Sequence, residues 1–177
     1  MDQFQTYEVF VEPREGKPFQ HEGIVHAPDI ELAFVLAKEA FTRRFTCTNL
    51  FVVATRDVFV SPMTDGNRSV YATIPDHPTS QSGEYRFEIF HLKRRGKQHI
   101  HVGQVLAADG DDAVRRSRTL LKEPTEVVYN VWATQADRIR FTHEDEKDLW
   151  NTLGEKKFRD AAAYKAGDKL NAFLQKS

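Results

Sequence analysis

An α+β fold of two tandem β-β-α-β units, followed by a C-terminal helical tail, is what this sequence predicts. Each unit is a small sheet with one helix packed on it in a roll-like arrangement. Three observations lead there. The chain repeats itself, each copy carries its patterns in the same order, and the stretches between and after the copies differ from them in composition.

The repeat comes first. At a shift of 80 residues, Glu8, Phe10, Arg14, Gly16, Lys17, His21, Gly23, Val25, Ala27, Asp29 and Ala33 meet Glu88, Phe90, Arg94, Gly96, Lys97, His101, Gly103, Val105, Ala107, Asp109 and Ala113, which is 11 identities over the 26 positions from 8 to 33. Further on, a one-residue deletion brings Ala54-Thr55 onto Ala133-Thr134. Two copies are too few for a stacked repeat array. Each copy, roughly 55 residues long, sits near the lower size limit for folding alone, so the copies are expected to pack on each other or on a partner.

Each element has a local cause. Tyr7–Val11 is rich in aromatic and β-branched residues and reads as a strand, with Tyr7, Val9 and Val11 on one face and Glu8 and Phe10 on the other. Pro13–Pro18 holds Gly16 and reads as a hairpin turn. Gln20–His26 returns as the second strand. Asp29, after Pro28, suits a helix N-cap, where its carboxylate accepts from free N–H groups. The helix is expected over Ile30–Arg44, with Leu32, Val35, Leu36, Glu39 and Ala40 near helical spacing and Ala33, Phe34, Ala37 and Phe41 widening the apolar stripe. Arg43 and Arg44 fall in its last turn, where positive charge suits the helix dipole. Asn49–Ala54 is almost continuously apolar, as in a strand buried on both faces. The second copy gives strands at Tyr85–Leu92, Ile100–Leu106 and Val127–Ala133, a turn at Arg94–Lys97 and a helix over Asp109–Lys122 that ends before Pro124.

The expected organisation is therefore a first unit at 1–60, a linker at 61–83, a second unit at 84–142 and a helical tail at 143–177. The linker carries Pro62, Pro75 and Pro78, and is expected to be mobile or to lie along a surface. Gly154 and Gly167 divide the tail, whose Leu149, Trp150 and Leu153 form one apolar patch.

Composition narrows the functional classes. With 40% hydrophobic residues the chain can build a core, and its net charge of −1 lacks the basic balance of a nucleic-acid binder. No apolar run approaches a membrane span. Met1–Thr6 is polar and does not read as a signal peptide, so a cytoplasmic location is expected. Cys47, the only cysteine, excludes an internal disulfide framework.

Candidate chemistry is sparse. A di-iron carboxylate site needs Glu-x-x-His motifs on helices. The only such spacing, Glu88 to His91, falls in a strand, where residues three apart face opposite ways. His99 and His101 share a strand face but lack further ligands at metal-binding spacing, so they read as a polar face touching solvent or a partner. His21 and His26 read alike. Cys47 lacks a companion histidine pattern and reads as a small packed or loop residue. The scattered glycines form no phosphate-cradling loop. Lys93, Arg94, Arg95 and Lys97 are the densest basic cluster, extended by Arg115, Arg116 and Arg118 on the next helix and suited to an acidic partner face or a CoA phosphate, although such a turn is more often simply solvated. Trp150 is either an interface anchor or part of a tail folded onto its own chain. No catalytic, metal or cofactor site is expected.

Several stretches resemble the phenylacetic acid degradation B family, the small B subunit of phenylacetyl-CoA 1,2-epoxidase. They are Tyr-Glu-Val-Phe-Val (7–11), His-x-Gly-x-x-His-Ala (21–27), Ala-Phe-Thr-Arg-Arg (40–44), Val-Val (52–53) and Tyr-Ala-Thr-Ile-Pro-Asp (71–76). Residues 7 to about 76 look like one whole member. The second copy is similar mainly through His-Ile-His-Val-Gly (99–103), and has Leu-Leu-Lys-Glu (120–123) where the first has Phe-Thr-Arg-Arg (41–44). The resemblance implies a non-catalytic, bridging subunit of a di-iron oxygenase in aromatic-compound degradation. Other subunits would hold the iron and the aryl-CoA thioester, and a reductase would supply electrons. The implied partners are the di-iron oxygenase subunits and that reductase, with no nucleic acid and no membrane; a homo-oligomer stays open. The interface candidates are Arg43, Arg44, Lys93, Arg94, Arg95, His99, His101 and Trp150. The alternatives are a stand-alone regulatory module and a CoA-thioester-binding module.

Overall fold

The computed structural model describes residues 4–42, 47–75, 85–121 and 126–146. Arg43, Arg44, Trp150 and most of the expected helical tail lie outside these residues. Ten elements follow in order: β1 (Gln5–Glu12), β2 (Gln20–Ala27), α1 (Ile30–Phe41), β3 (Asn49–Ala54), β4 (Val58–Val60), β5 (Tyr85–Leu92), β6 (Ile100–Ala107), α2 (Gly110–Leu120), β7 (Asn130–Gln135) and β8 (Arg140–Phe141). The fold is α+β, as the sequence predicts, but the strands form one sheet of eight rather than two small ones, in the order β4-β7-β5-β6-β2-β1-β3-β8. All its pairings are antiparallel.

That order reads the same from both ends once each first-half strand is exchanged for its second-half counterpart. The centre is the β2–β6 seam, where Gln20 faces Ile100. Across it the His21 N–H donates to the His99 carbonyl (2.9 Å) and the His101 N–H donates to the Phe19 carbonyl (2.8 Å). At the outer ends, β4 leaves the first half to pair with β7 of the second, and β8 leaves the second to pair with β3 of the first. The Ser61 N–H then bonds the Val131 carbonyl, and the Thr142 N–H bonds the Leu50 carbonyl (2.9 and 3.0 Å). Each half thus completes its sheet with a strand from the other.

The registers correct one detail of the repeat. β1 pairs Val9 with Val52, and β5 pairs Ile89 with Ala133. Asn49 therefore corresponds to Asn130, and the second copy carries one residue more between helix and third strand, not one fewer. The Ala54-Thr55 match to Ala133-Thr134 is out of register.

The hairpins are held at matching points. Each pairing slips at the same place, between Val9 and Phe10 and between Ile89 and Phe90. Gly23 and Gly103 stand at these irregularities with φ of 155° and 144°. A Cβ on Gly23 would come within 2.8 Å of the Phe41 ring, and one on Gly103 within 2.9 Å of Leu121. Glycine is required there by conformation and by the close approach of the helix end.

Asp29 and Asp109 cap the helices, accepting from the Leu32 and Asp112 N–H groups at 2.8 Å each. α1 differs from its expected orientation: Ala33, Phe34 and Ala37 are buried, whereas Leu32, Val35 and Leu36 face outward. Two alanines let the helix lie close to the sheet, which outweighs the larger aliphatic side chains. β3 is buried on both faces from Leu50 to Ala54, as its apolar run predicts.

The sheet curls. β1 and β5 are separated by β2 and β6, about 14 Å in a flat sheet at roughly 4.8 Å per strand. Yet the Phe10 and Phe90 ring centroids lie 4.4 Å apart. On the concave side Phe10, Phe51, Val53 and Phe90 form one core, flanked by Phe19 and Trp132. On the opposite side of β5, Phe87, Ile89, Val105, Ala113 and Val114 form a second core beneath α2. Val70 and Tyr71 belong to that second core and are fully buried. The described part of the stretch expected as a linker, 61–75, runs mostly exposed along the second half and is anchored there by the buried Ser61, Thr64, Val70 and Tyr71.

Candidate functional site

Three polar constellations stand out, and the repeat identities account for the first. Glu8 and His21 stand on β1 and β2 and bond at 2.7 Å; Glu88 and His101 do the same at 2.7 Å on β5 and β6. Phe10 packs on His21, and Phe90 on His101, each with centroids 5.2 Å apart. Glu8 also accepts from the Thr55 hydroxyl at 2.9 Å, so its buried carboxylate is satisfied on both oxygens. Each pair ties one hairpin together, on the strands beside the seam.

His99 occupies the position that Phe19 holds in the first copy. It is buried, stacks on Trp132 with centroids 4.1 Å apart, and bonds the Asn130 side-chain oxygen at 2.8 Å. Burial lowers its pKa, and the Asn130 bond offsets this in part. Both histidines expected from sequence on a partner face are therefore engaged within the chain. The basic turn is engaged in the same way. Lys93 pairs with Glu126 at 2.7 Å. Arg95 donates to the Thr64 and Gly66 carbonyls, and its guanidinium lies 4.3 Å from the centre of the Tyr129 ring. Arg94 is exposed. Arg95 thus straps residues 64–66 onto the second half.

The third constellation is one that sequence reasoning misses. The Tyr71 hydroxyl meets His91 Nε2 at 2.7 Å and Ser117 Oγ at 2.6 Å, with all three side chains buried. Ser117 donates to the Val114 carbonyl at 2.7 Å. With that hydrogen committed, Tyr71 donates to Ser117 and accepts from His91. His91 Nδ1 then faces Glu126 Oε2 at 3.8 Å, too far for a hydrogen bond. Glu88 and His91, the Glu-x-x-His spacing, indeed point to opposite faces: one meets His101 and the other Tyr71. The signal for this network is Tyr71 itself, within a segment whose prolines suggest a linker.

Burial pushes the Tyr71 phenol up, and burial with the nearby Lys93 charge pulls His91 down to about 3. His91 is therefore neutral in the fold and takes its proton nearer the ordinary value of 6.5 once unfolded. The unfolded chain binds more protons between these values, so stability is full above about pH 6.5 and falls as pH drops toward about 3. Replacing His91 by Leu should cost about 1 kcal/mol at neutral pH by removing the hydrogen bond that Tyr71 accepts, and should flatten the acid limb. Urea midpoints at pH 4, 5 and 7 check this; an unchanged acid limb would assign the loss to other groups.

Among the described residues no group of three His, Cys, Asp or Glu is placed to hold a metal, and no helix is long and apolar enough to cross a membrane. Cys47 is half-buried. An open cleft of about 550 Å³ lies beside the α2 N-terminus, lined by Arg56, Phe59, Tyr85 and Arg138 together with Asp57, Asp109 and Asp137. Its lining carries three carboxylates and two guanidinium groups, and the Asp109 carboxylate is committed to capping α2.

Against known proteins, the model of the family described as Phenylacetic acid degradation B matches twice, over residues 3–74 and 84–171. A curated relative, the 1,2-phenylacetyl-CoA epoxidase B subunit of Escherichia coli strain K12, is 36% identical over 55 residues, or 31% of this chain. The matched segment spans 58% of that relative's length. No solved structure matches the chain.

Proposed function

We propose that this chain, which belongs to the phenylacetic acid degradation B family, is a non-catalytic bridging subunit of a multicomponent di-iron oxygenase of the phenylacetyl-CoA epoxidase type. On this reading the substrate, the iron and the electron supply belong to its partners. The chain fixes their relative placement. The observation that carries the proposal is the reciprocal strand exchange, in which β4 and β8 each complete the sheet of the other half. One chain then offers two related surfaces at a fixed angle, and covalent linkage removes the entropy cost of pairing two separate units. The polar constellations support the same reading. The two Glu–His pairs, His99 with Asn130, and Tyr71 with His91 and Ser117 are hydrogen-bonded inside the chain, although His91 Nδ1 has no hydrogen-bond partner among the described residues, and each has a structural use.

The test is a reconstituted epoxidase with this chain added or omitted. Aryl-CoA turnover should depend on the chain while the iron content of the catalytic subunit stays unchanged. The isolated chain should neither bind the thioester nor turn it over. Thioester binding by the chain alone would favour a CoA-binding module, and turnover without it would favour a free-standing regulatory module.

A further inference from the structure

We propose that the outward face of α1 is the docking surface for a partner subunit that presents an apolar helical stripe flanked by lysine or arginine. The proposal rests on the bridging role above and adds which face makes contact and with what chemistry. Leu32, Val35 and Leu36 lie on successive turns of one face of α1 and remain 42%, 53% and 39% exposed.

The internal repeat supplies a control for this face. The N-caps Asp29 and Asp109 place Leu32, Val35 and Leu36 opposite Asp112, Arg115 and Arg116 of α2. There, Arg116 bonds Asp112 at 2.8 Å, and Arg115 pairs with Asp111. Burial alone would raise the Asp112 pKa, but the Arg116 bond, the Ala108 N–H and the neighbouring arginines hold it below the usual range. On α2, Asp112 is buried and Arg115 and Arg116 are half-buried, so that face is partly covered and filled by ion pairs, whereas the matching face of α1 is exposed and apolar. The fold itself does not require the aliphatic side chains, and exposed clustered apolar groups mark contact sites.

Charge selects the occupant. Glu39 extends the stripe by a turn and Asp29 stands at its other end, while Glu31 already meets Arg140 at 2.9 Å. Two α1 helices packed antiparallel would set Glu39 of each copy near the acidic N-terminal turn of the other. Packed parallel, they would set Glu39 against Glu39. Both arrangements oppose like charges, which weighs against self-association through this face. A partner with basic side chains beside its apolar stripe meets both features.

The experiment grafts the face of α2 onto α1, as Leu32→Asp, Val35→Arg and Leu36→Arg in the full chain. Wild type and variant are each co-expressed with the di-iron, aryl-CoA-binding and reductase subunits of the epoxidase complex. Since all three positions are exposed on α1, the variant should keep its far-UV spectrum and melt within a few degrees of wild type. Its affinity for the complex should fall by about 100-fold or more. In parallel, a photocrosslinking benzophenone residue at Val35 should join the chain to a partner helix whose apolar residues are flanked by Lys or Arg. A folded variant that binds as wild type does would overturn the docking face and leave the bridging role standing. A crosslink to a second copy or to residues 147–177 would overturn the choice of occupant. Wild type that captures none of these subunits would overturn the bridging role and this proposal together.

Discussion

Truncating Tyr71 to Ala should destabilise the protein by about 3–5 kcal/mol, as for other buried aromatic deletions. Tyr71 is 1% exposed and fills the core beneath α2 beside Val70 and Val128. Its hydroxyl also occupies His91 and Ser117. Tyr71→Phe separates the two contributions: it keeps the ring and strands both polar partners, at about 1–3 kcal/mol. Urea unfolding of the three proteins, followed by circular dichroism, measures both steps. A Tyr71→Ala variant within about 1 kcal/mol of wild type, well short of the expected loss, would mean that the segment after β4 is a dispensable connector. The expected outcome makes it an integral part of the second half, supplied by residues that the sequence assigns to the gap between copies.

Phe10 and Phe90 should give the second large effect. Both rings are buried on the concave side, 4.4 Å apart across the curl of the sheet, and Phe10 stacks on Phe51 at 4.6 Å. Phe10→Ala and Phe90→Ala should each cost about 3–5 kcal/mol. The double variant should cost less than their sum by about 0.5–1.5 kcal/mol, since each single change already removes the shared ring contact. A double-mutant cycle from denaturant unfolding reads this directly. Strict additivity would mean that the rings do not share a core and that the halves are joined only through their strand pairings.

The parts of this architecture legible in sequence are those fixed by local chemistry. Asp29 and Asp109 announce both helix starts, and β3 and β5 coincide with the apolar and β-branched runs. The repeat is more informative still. Glu8, Phe10, His21 and Gly23 recur as Glu88, Phe90, His101 and Gly103 because each set builds one hairpin. The carboxylate bonds the imidazole, the ring packs on it, and the glycine permits the slip that brings them together. That chemistry is hidden from a linear reading, because the residues meet across strands and the pairing register decides which side chains face each other.

Non-local choices account for the rest. β4 and β8 have three and two residues, too short to show a strand period, and nothing local reveals that each pairs with the other half. α1 is apolar on almost every side, so periodicity does not choose between the Leu32, Val35 and Leu36 face and the Ala33, Phe34 and Ala37 face; closeness to the sheet decides for the alanines. The prolines near Tyr71 argue against a long helix or strand, and a single 3-10 turn spans Val70–Ala72. They carry no information about burial, which arises from contacts with α2 and β7. His99 reads as a surface residue because a histidine in a strand is usually exposed, whereas Trp132 and Asn130 give it a buried niche.

Native mass spectrometry of the chain co-expressed with the di-iron, aryl-CoA-binding and reductase subunits tests the bridging role most directly. The account predicts one assembly that contains this chain together with the catalytic subunits, and loss of the connected assembly when the chain is left out. A fully assembled catalytic complex that forms without the chain, with the chain recovered folded and alone, would contradict it.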